Sequence, residues 1–175
     1  LRPSAYVGRS CTTLDGTLTA MRSLLPEIQV RPAVPADASG VSACVNAAYS
    51  RWVPIVGTEP GPMRDDYSVV LVRKLGYVCE HQSRLIAVLI VCVTEEGFLL
   101  ENVAVDPAFS GRGIGSTLMS LAEHQATANG YKSIYLYTHE RMTENIELYS
   151  RRGYVEYARR TDEGFARVFM RKSLA

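Results

Sequence analysis

The sequence predicts a chain of the α/β (α+β) class, with a mixed, mostly antiparallel central sheet of six to seven strands flanked by about four helices. Three observations predict it. Between Gly76 and Val105 apolar segments are broken only by short polar turns, the pattern of an antiparallel meander. Over residues 99–137 an apolar strand enters a glycine-rich turn, then a helix, then a second strand, a right-handed crossover that makes the two strands parallel. Two alternating segments near the end, Val155 to Arg159 and Phe165 to Arg171, close the sheet. A length of 175 residues and 47% hydrophobic content suit one globular domain with a sizeable core.

Residues 1–27 carry Arg2, Arg9 and Arg22, several Ser and Thr, and Asp15 as the lone acid before Glu27. They superficially resemble a transit peptide, lack a secretory apolar run, and are expected to be a poorly ordered or loosely docked extension of a domain spanning 28–175. Ile28 to Arg31 alternates as a first strand, and Pro35-Ala36-Asp37 opens a helix from Ala38 to Tyr49 with Val41, Val45 and Ala48 on one face. Residues 50–63 form a loop dense in Pro and Gly that holds the only tryptophan, Trp52. A loop of that length in a compact domain is often functional. A helix is expected near Asp65 to Leu75. Gly76 to Glu80 and Leu85 to Val93 then flank the polar turn 81–84, and the second run, having no polar alternation, reads as a central strand covered on both faces. Gly97 to Val105 is the third strand of the meander.

Asp106-Pro107 is a turn dipeptide, and Gly111, Gly113 and Gly115 alternate just before a helix marked by Ile114, Leu118, Leu121, Ala122 and Ala126 and ended by Asn129-Gly130. This is an anion-binding design: without side chains, successive backbone N–H groups can converge on a phosphate, and the helix start adds partial positive charge. Arg112 can add a cation at the rim. A Rossmann fingerprint fits poorly, because Ser116 stands at the third glycine position and Tyr135-Leu136-Tyr137 supplies no acid. A nucleotide P-loop fits poorly because the stretch has no lysine. A tight strand-to-helix turn with no ligand stays open as the plain alternative. Lys132 to Tyr137 follows as a strand, and a helix from Thr143, which can cap it, is ended by Gly153.

The glycine stretch resembles motif A of the GNAT superfamily of acetyl-CoA-dependent N-acetyltransferases, whose loop reads Gln/Arg-x-x-Gly-x-Gly/Ala; its glycines fall on Gly113 and Gly115, with Ser110 where Gln or Arg is usual. Val103 to Pro107 resembles that family's fourth strand and turn. Arg31-Pro32-Ala33 with Ala36-Asp37 resembles its opening, and Asn145 to Tyr154 resembles its Asn-x-x-Ala-x-x-Leu-Tyr-x-x-x-Gly-Phe signature in a contracted spacing. The matched features span about residues 28 to 173. The resemblance implies that acetyl-CoA is held by Val103, Val105, Ser110, Gly111, Arg112, Gly113, Ile114, Gly115, Ser116 and Asn145, with the pantetheine arm between two splayed parallel strands. It also implies a backbone N–H near Val105 that polarises the thioester carbonyl, and Tyr149 as proton donor to the departing thiolate. For the acceptor pocket it implies Trp52, Met63 and Tyr67 as wall residues, joined by Tyr137.

Acetyl transfer to an amine needs a neutral amine, a polarised carbonyl and a stabilised thiolate. Glu101 is an acid inside an apolar strand, where an unpaired buried charge is costly, so it is the candidate base; a sheet-edge charge facing solvent is the alternative. His139 is an outside candidate, Tyr149 can instead be a packing aromatic, and Asn145 can instead be a helix cap. A net charge of +1 argues against a nucleic-acid partner. Cys11, Cys44, Cys79 and Cys92 form no C-x-x-C pair, which favours a reducing cytoplasmic compartment. No run reaches about 18 apolar residues, so no membrane span is expected, and no metal constellation is present in the pattern. The reading is direct attack by a small-molecule primary amine on acetyl-CoA in a ternary complex. A protein or peptide amine is the alternative acceptor, a non-catalytic acyl-CoA sensor the alternative class, and a nucleotide-binding module the weakest. The resemblance also admits a homodimer.

Overall fold

The computed structural model describes residues 27–174; residues 1–26, and with them all but Glu27 of the expected extension and Cys11, lie outside the described residues. Seven strands form one sheet in the order β1-β2-β3-β4-β5-β7-β6. They are β1 (Gln29–Pro32), β2 (Leu75–His81), β3 (Arg84–Thr94), β4 (Gly97–Val105), β5 (Ser133–His139), β6 (Val155–Asp162) and β7 (Phe165–Ser173). All neighbours are antiparallel except β4 and β5. The helices are α1 (Ala38–Tyr49), the single turns α2 (Val53–Val56) and α3 (Gly61–Arg64), α4 (Tyr67–Arg73), α5 (Ile114–Ala128) and α6 (Thr143–Arg151).

The apolar patterns set which helix covers which face. Because strand side chains alternate, β3 sends Ala87, Leu89 and Val91 to one side and Val88 and Ile90 to the other. On the first side they pack with Leu118, Leu121 and Ala122 of α5 and Tyr149 of α6. On the second they meet Val41 and Val45 of α1 and Tyr67 and Leu71 of α4. An apolar run with no polar alternation is thus explained by cover on both faces. The β5-β7-β6 end of the second face has no helix of its own. Leu99, Tyr135 and Phe169 cluster there, and the Arg160 guanidinium sits 3.8 Å from the Phe169 ring centroid, so an arginine stem does the covering.

Several boundaries shift for local reasons. The long loop at 50–63 contains two helical turns, α2 ending on Gly57 at φ +88 and α3 opening through Pro62. The helix expected at 65–75 is shorter, because Asp66 accepts from the Ser68 amide and so starts it at Tyr67. Thr143 does not cap α6; Met142 precedes the helix without a side-chain bond, and Thr143 is its first residue. Strands β5, β6 and β7 run two to three residues past their expected ends because they pair with one another throughout.

Gly76 marks where α4 and β1 close onto the sheet: a Cβ there would meet Ala33 Cβ and Leu71 Cδ2 at 3.1 Å and Ile90 Cδ1 at 3.2 Å. Gly76→Ala is therefore expected to cost about 1–3 kcal/mol by overpacking, read as a lower urea midpoint, whereas no change in midpoint would show that the α4 layer is free to slide.

Candidate active site

The site begins with a fault in the sheet. Ile90 opposes Asn102 while Val91 opposes Leu100, so Glu101 is an extra residue, a β-bulge in β4. Two residues before it, pairing of β4 with β5 ends: only Phe98 with Ile134 and Leu99 with Tyr135 are in register. Past these pairs the strands part. The gap is a cavity of about 240 Å³ lined on one side by Leu100, Glu101, Asn102 and Val103 and on the other by Leu136, Tyr137, Thr138 and His139. Its remaining walls come from both layers, with Asn145 and Tyr149 of α6 on one face of the sheet and Tyr49, Asp65 and Lys74 on the other. The cavity therefore passes through the sheet.

A chain of hydrogen bonds fixes the wall on the α1/α4 side. The Tyr49 hydroxyl donates to Asn102 Oδ1 at 2.9 Å, Asn102 Nδ2 donates to the Tyr67 hydroxyl at 3.1 Å, and that hydroxyl donates to the Pro62 carbonyl at 2.9 Å. Asn102 is 4% exposed, so every polar atom it engages is one that would otherwise be desolvated without a partner. Burial, together with nearby tyrosines and Asp65, pushes the Tyr49 hydroxyl well up and keeps it a donor.

The charges along the cavity are arranged unevenly. Lys74 Nζ binds both oxygens of Glu101, at 2.5 and 2.7 Å. Burial works to lower the Lys74 ammonium, and the facing carboxylate more than offsets it, so the net shift is upward. Arg167, 9% exposed, stacks 4.2 Å from the Tyr137 ring centroid and is held by Asp162 and, at 2.9 Å, by Glu163 of the β6–β7 turn. Asp65, at the end of α3, makes no hydrogen bond or ion pair among the described residues; burial and the neighbouring Glu101 raise its carboxyl above the ordinary value. His139 Nδ1 accepts the Arg141 amide at 3.1 Å, so the neutral ring carries its proton on Nε2 and is a donor rather than a base toward the cavity. Burial lowers its pKa. The Tyr149 hydroxyl has no hydrogen-bond partner among the described residues, and burial pushes it up to about 12.

The glycine turn lies on the α5 side. Gly111 and Gly113 have φ of +75 and +81, and a Cβ at either would meet nothing within 4 Å, so backbone conformation and not packing requires glycine there. No described residue accepts from the amides of Gly111, Arg112 or Gly113, and those of Ile114, Gly115 and Ser116 open α5, where intrahelical partners do not exist. Six successive N–H groups are left for an anion. Ile114 itself is 1% exposed, so its side chain belongs to the core and only its amide faces the turn. Arg112 is exposed over the Phe109 ring.

Of the residues expected from the sequence, Glu101, Val103, Tyr137, Asn145 and Tyr149 line the cavity. Val105, Ser110, Gly111, Arg112, Gly113, Gly115 and Ser116 lie on the strand end and turn beyond it. Trp52, Met63 and Tyr67 do not line the cavity; Trp52 packs with Val56 and Met142 and Tyr67 braces Asn102, both behind the wall. Sequence reading missed Tyr49, Asp65, Lys74, Asn102 and Arg167. An asparagine in an apolar strand beside Glu101 was a readable signal for one of them. It also missed Arg152, which donates to Ser116 and Ser120 of α5 and so ties α6 to the first turn of the glycine helix.

A mixed sheet opened at one parallel pair, with an anion turn on one face and a polar cavity through it, defines the class of protein. Residues 73–156 match the family model of the acetyltransferase (GNAT) domain. No curated protein sequence matches it. Solved structures share the fold: a GCN5-related N-acetyltransferase of Rhodopseudomonas palustris superposes with a TM-score of 0.70 at 22% identity, over 83% of this chain and 94% of that one. The PaiA N-acetyltransferase of Thermoplasma acidophilum, solved with coenzyme A, gives 0.70 at 18% identity over 83% and 98%. A GNAT acetyltransferase of Elizabethkingia anophelis with acetyl-CoA bound gives 0.62 at 16% identity over 85% and 99%. No described helix is long and apolar enough to cross a membrane.

Asn102→Ala is expected to cost about 1–3 kcal/mol by orphaning the Tyr49 hydroxyl. In a double-mutant cycle followed by denaturant unfolding, Tyr49→Phe should recover part of that loss, and strict additivity would mean that the two are not coupled.

Proposed function

We propose that the chain is an N-acetyltransferase that moves the acetyl group of acetyl-CoA to a primary amine by direct attack in a ternary complex, with a small molecule as acceptor. The observation that carries the reading is the pairing of a free-amide turn on one face with a gap through the sheet between β4 and β5. An extended thioester arm fits the gap, and its pyrophosphate fits the turn. Ser110 replaces the longer Gln or Arg side chain of the motif, which leaves the amides and Arg112 as the anion's contacts.

The proposed chemistry assigns each step to a residue. The amine nitrogen attacks the thioester carbonyl carbon, whose oxygen is held by a backbone N–H near Val105. The C–S bond breaks, and the sulfur takes the hydroxyl proton of Tyr149. Raised to about 12 by burial, that phenol stays protonated at neutral pH, so its proton is present when the thiolate forms. The proton lost by the amine goes to Glu101 through water, because Lys74 occupies both its oxygens. No cysteine acyl-enzyme is invoked: burial raises the thiols of Cys44, Cys79 and Cys92 to about 12 each, the reverse of an activated nucleophile.

The test compares acetyl-CoA, CoA, NAD and ATP by thermal shift, then reads thiol release over an amine panel. Acetyl-CoA should stabilise the protein most, by mass action, and Tyr149→Phe should lower kcat about a hundredfold or more while keeping that shift. With the phenol raised, kcat should show no falling limb from this group up to about pH 10. Stabilisation without thiol release for any small or peptide amine would leave an acyl-CoA sensor, and a larger shift with NAD or ATP would replace the reading altogether.

A further inference from the structure

We propose that Arg152 is a positioning residue for the anion of the cosubstrate: from the end of α6 it holds the Ser116 hydroxyl as a donor and lends the glycine turn a positive charge that Ser110 cannot supply. The inference rests on the acetyltransferase reading and deepens its cofactor site.

The guanidinium reaches α5 from the neighbouring helix. The Arg152 amide donates to the Tyr149 carbonyl at 3.0 Å, which pins the residue just past the end of α6. One terminal nitrogen of the side chain donates to Ser116 Oγ, and the other donates to Ser120 Oγ at 3.1 Å. The two serines are four residues apart and so share one face of α5. Ser116 is the third residue of that helix, counted from the glycine turn, and its amide is already among the six N–H groups open to an anion. Because its oxygen accepts from Arg152, its hydroxyl proton points elsewhere, and no described residue accepts it. That proton is a seventh donor at the turn.

The charge is unevenly matched. Glu123, three residues past Ser120, binds Lys172 at 2.8 Å and lies 3.8 Å from Arg152. One carboxylate thus faces two cations, and a positive charge is left over. Arg152 Nε is buried with no hydrogen-bond partner among the described residues, so the guanidinium is bonded mainly to neutral hydroxyls and keeps its charge unneutralised. Its side chain is 19% exposed, and a charge so placed is screened less than one in open water. Through Ser116 it stands one hydroxyl away from an anion at the turn. A tie between helices alone would act equally on every thioester; a role toward the anion acts only on ligands that carry one.

Calorimetric titration of CoA, dephospho-CoA and inorganic pyrophosphate into the full chain compares wild type with R152Q, R152K, S116A and R152Q/S116A. Expected is about tenfold weaker binding of all three in R152Q and in S116A, a smaller loss in R152K, and a double variant no weaker than R152Q alone. In turnover the loss should fall on KM for acetyl-CoA rather than on kcat, and kcat/KM should drop about tenfold more for acetyl-CoA than for S-acetylpantetheine, which has the thioester arm without the anion. Unchanged affinity in R152Q and S116A, additive losses in the double variant, or an equal drop for the two thioesters would overturn the proposal. S116A removes one exposed hydroxyl and keeps the assignment testable if R152Q does not fold. Pyrophosphate binding needs no acetyl transfer: its loss in R152Q supports Arg152 even where thiol release fails, whereas thiol release indifferent to R152Q sinks Arg152 and spares the acetyltransferase reading.

Discussion

Everything in this molecule depends on where the hydrogen-bond ladder between β4 and β5 stops. A parallel pair that continued would satisfy its backbone groups and leave a closed sheet. Here it lasts two residue pairs, and the Glu101 bulge turns β4 away two residues on. A bulge bends its strand and frees an unpaired residue, so one inserted position both opens the gap and sets an acid at its edge. Lys74 then becomes necessary, because a half-buried carboxylate needs a partner. Asn102, one residue on, fastens the bulged strand to α1 and α4 through two tyrosines. The opening is held rather than loose.

The two faces divide the work. On the α5 face the chain supplies backbone groups: the free amides of the glycine turn, with the core residue Ile114 anchoring the helix start and Arg152 tying Ser116 and Ser120 to α6. On the α1/α4 face it supplies side chains and charge. A feature shared by many ligands of one kind can be read by backbone, while discrimination among acceptors needs side chains that differ in sign and shape.

Most of the fold was legible because local chemistry and global position agree. Pro35-Ala36-Asp37 starts α1, the uniform apolar run of β3 means cover on two faces, and Gly113 and Gly130 have positive φ where a helix begins and has just ended. The cavity wall was legible where its signals are short in sequence, in the acid of β4 and the tyrosine of α6 that line it, and so was the positive-φ glycine turn. What was not legible depends on contacts between distant segments. Trp52 and Tyr67 read as pocket walls because aromatic residues in a long loop look available, yet the hydrogen bond to Asn102 and the packing on Met142 turn them inward. Asp65 and Arg167 lie about a hundred residues apart in sequence, and no periodicity links a helix end to an edge hairpin.

The brevity of the β4–β5 contact has a consequence for how the chain assembles. β2, β3 and β4 follow one another as a meander and β6 and β7 as a hairpin, so each can zip from its own turn over short loops. β1 and β5 must find partners across long stretches of chain, β1 joining β2 past α1 to α4, and β5 joining β4 through a helical crossover and β7 after α6 and β6 have been made. With two residue pairs on one side and seven on the other, β5 belongs to the carboxy-terminal half by its ladder. What welds the halves is α5, whose apolar face packs across β3, β4 and β5 alike. The same helix start that would grip an anion is thus the joint at which the two half-sheets meet.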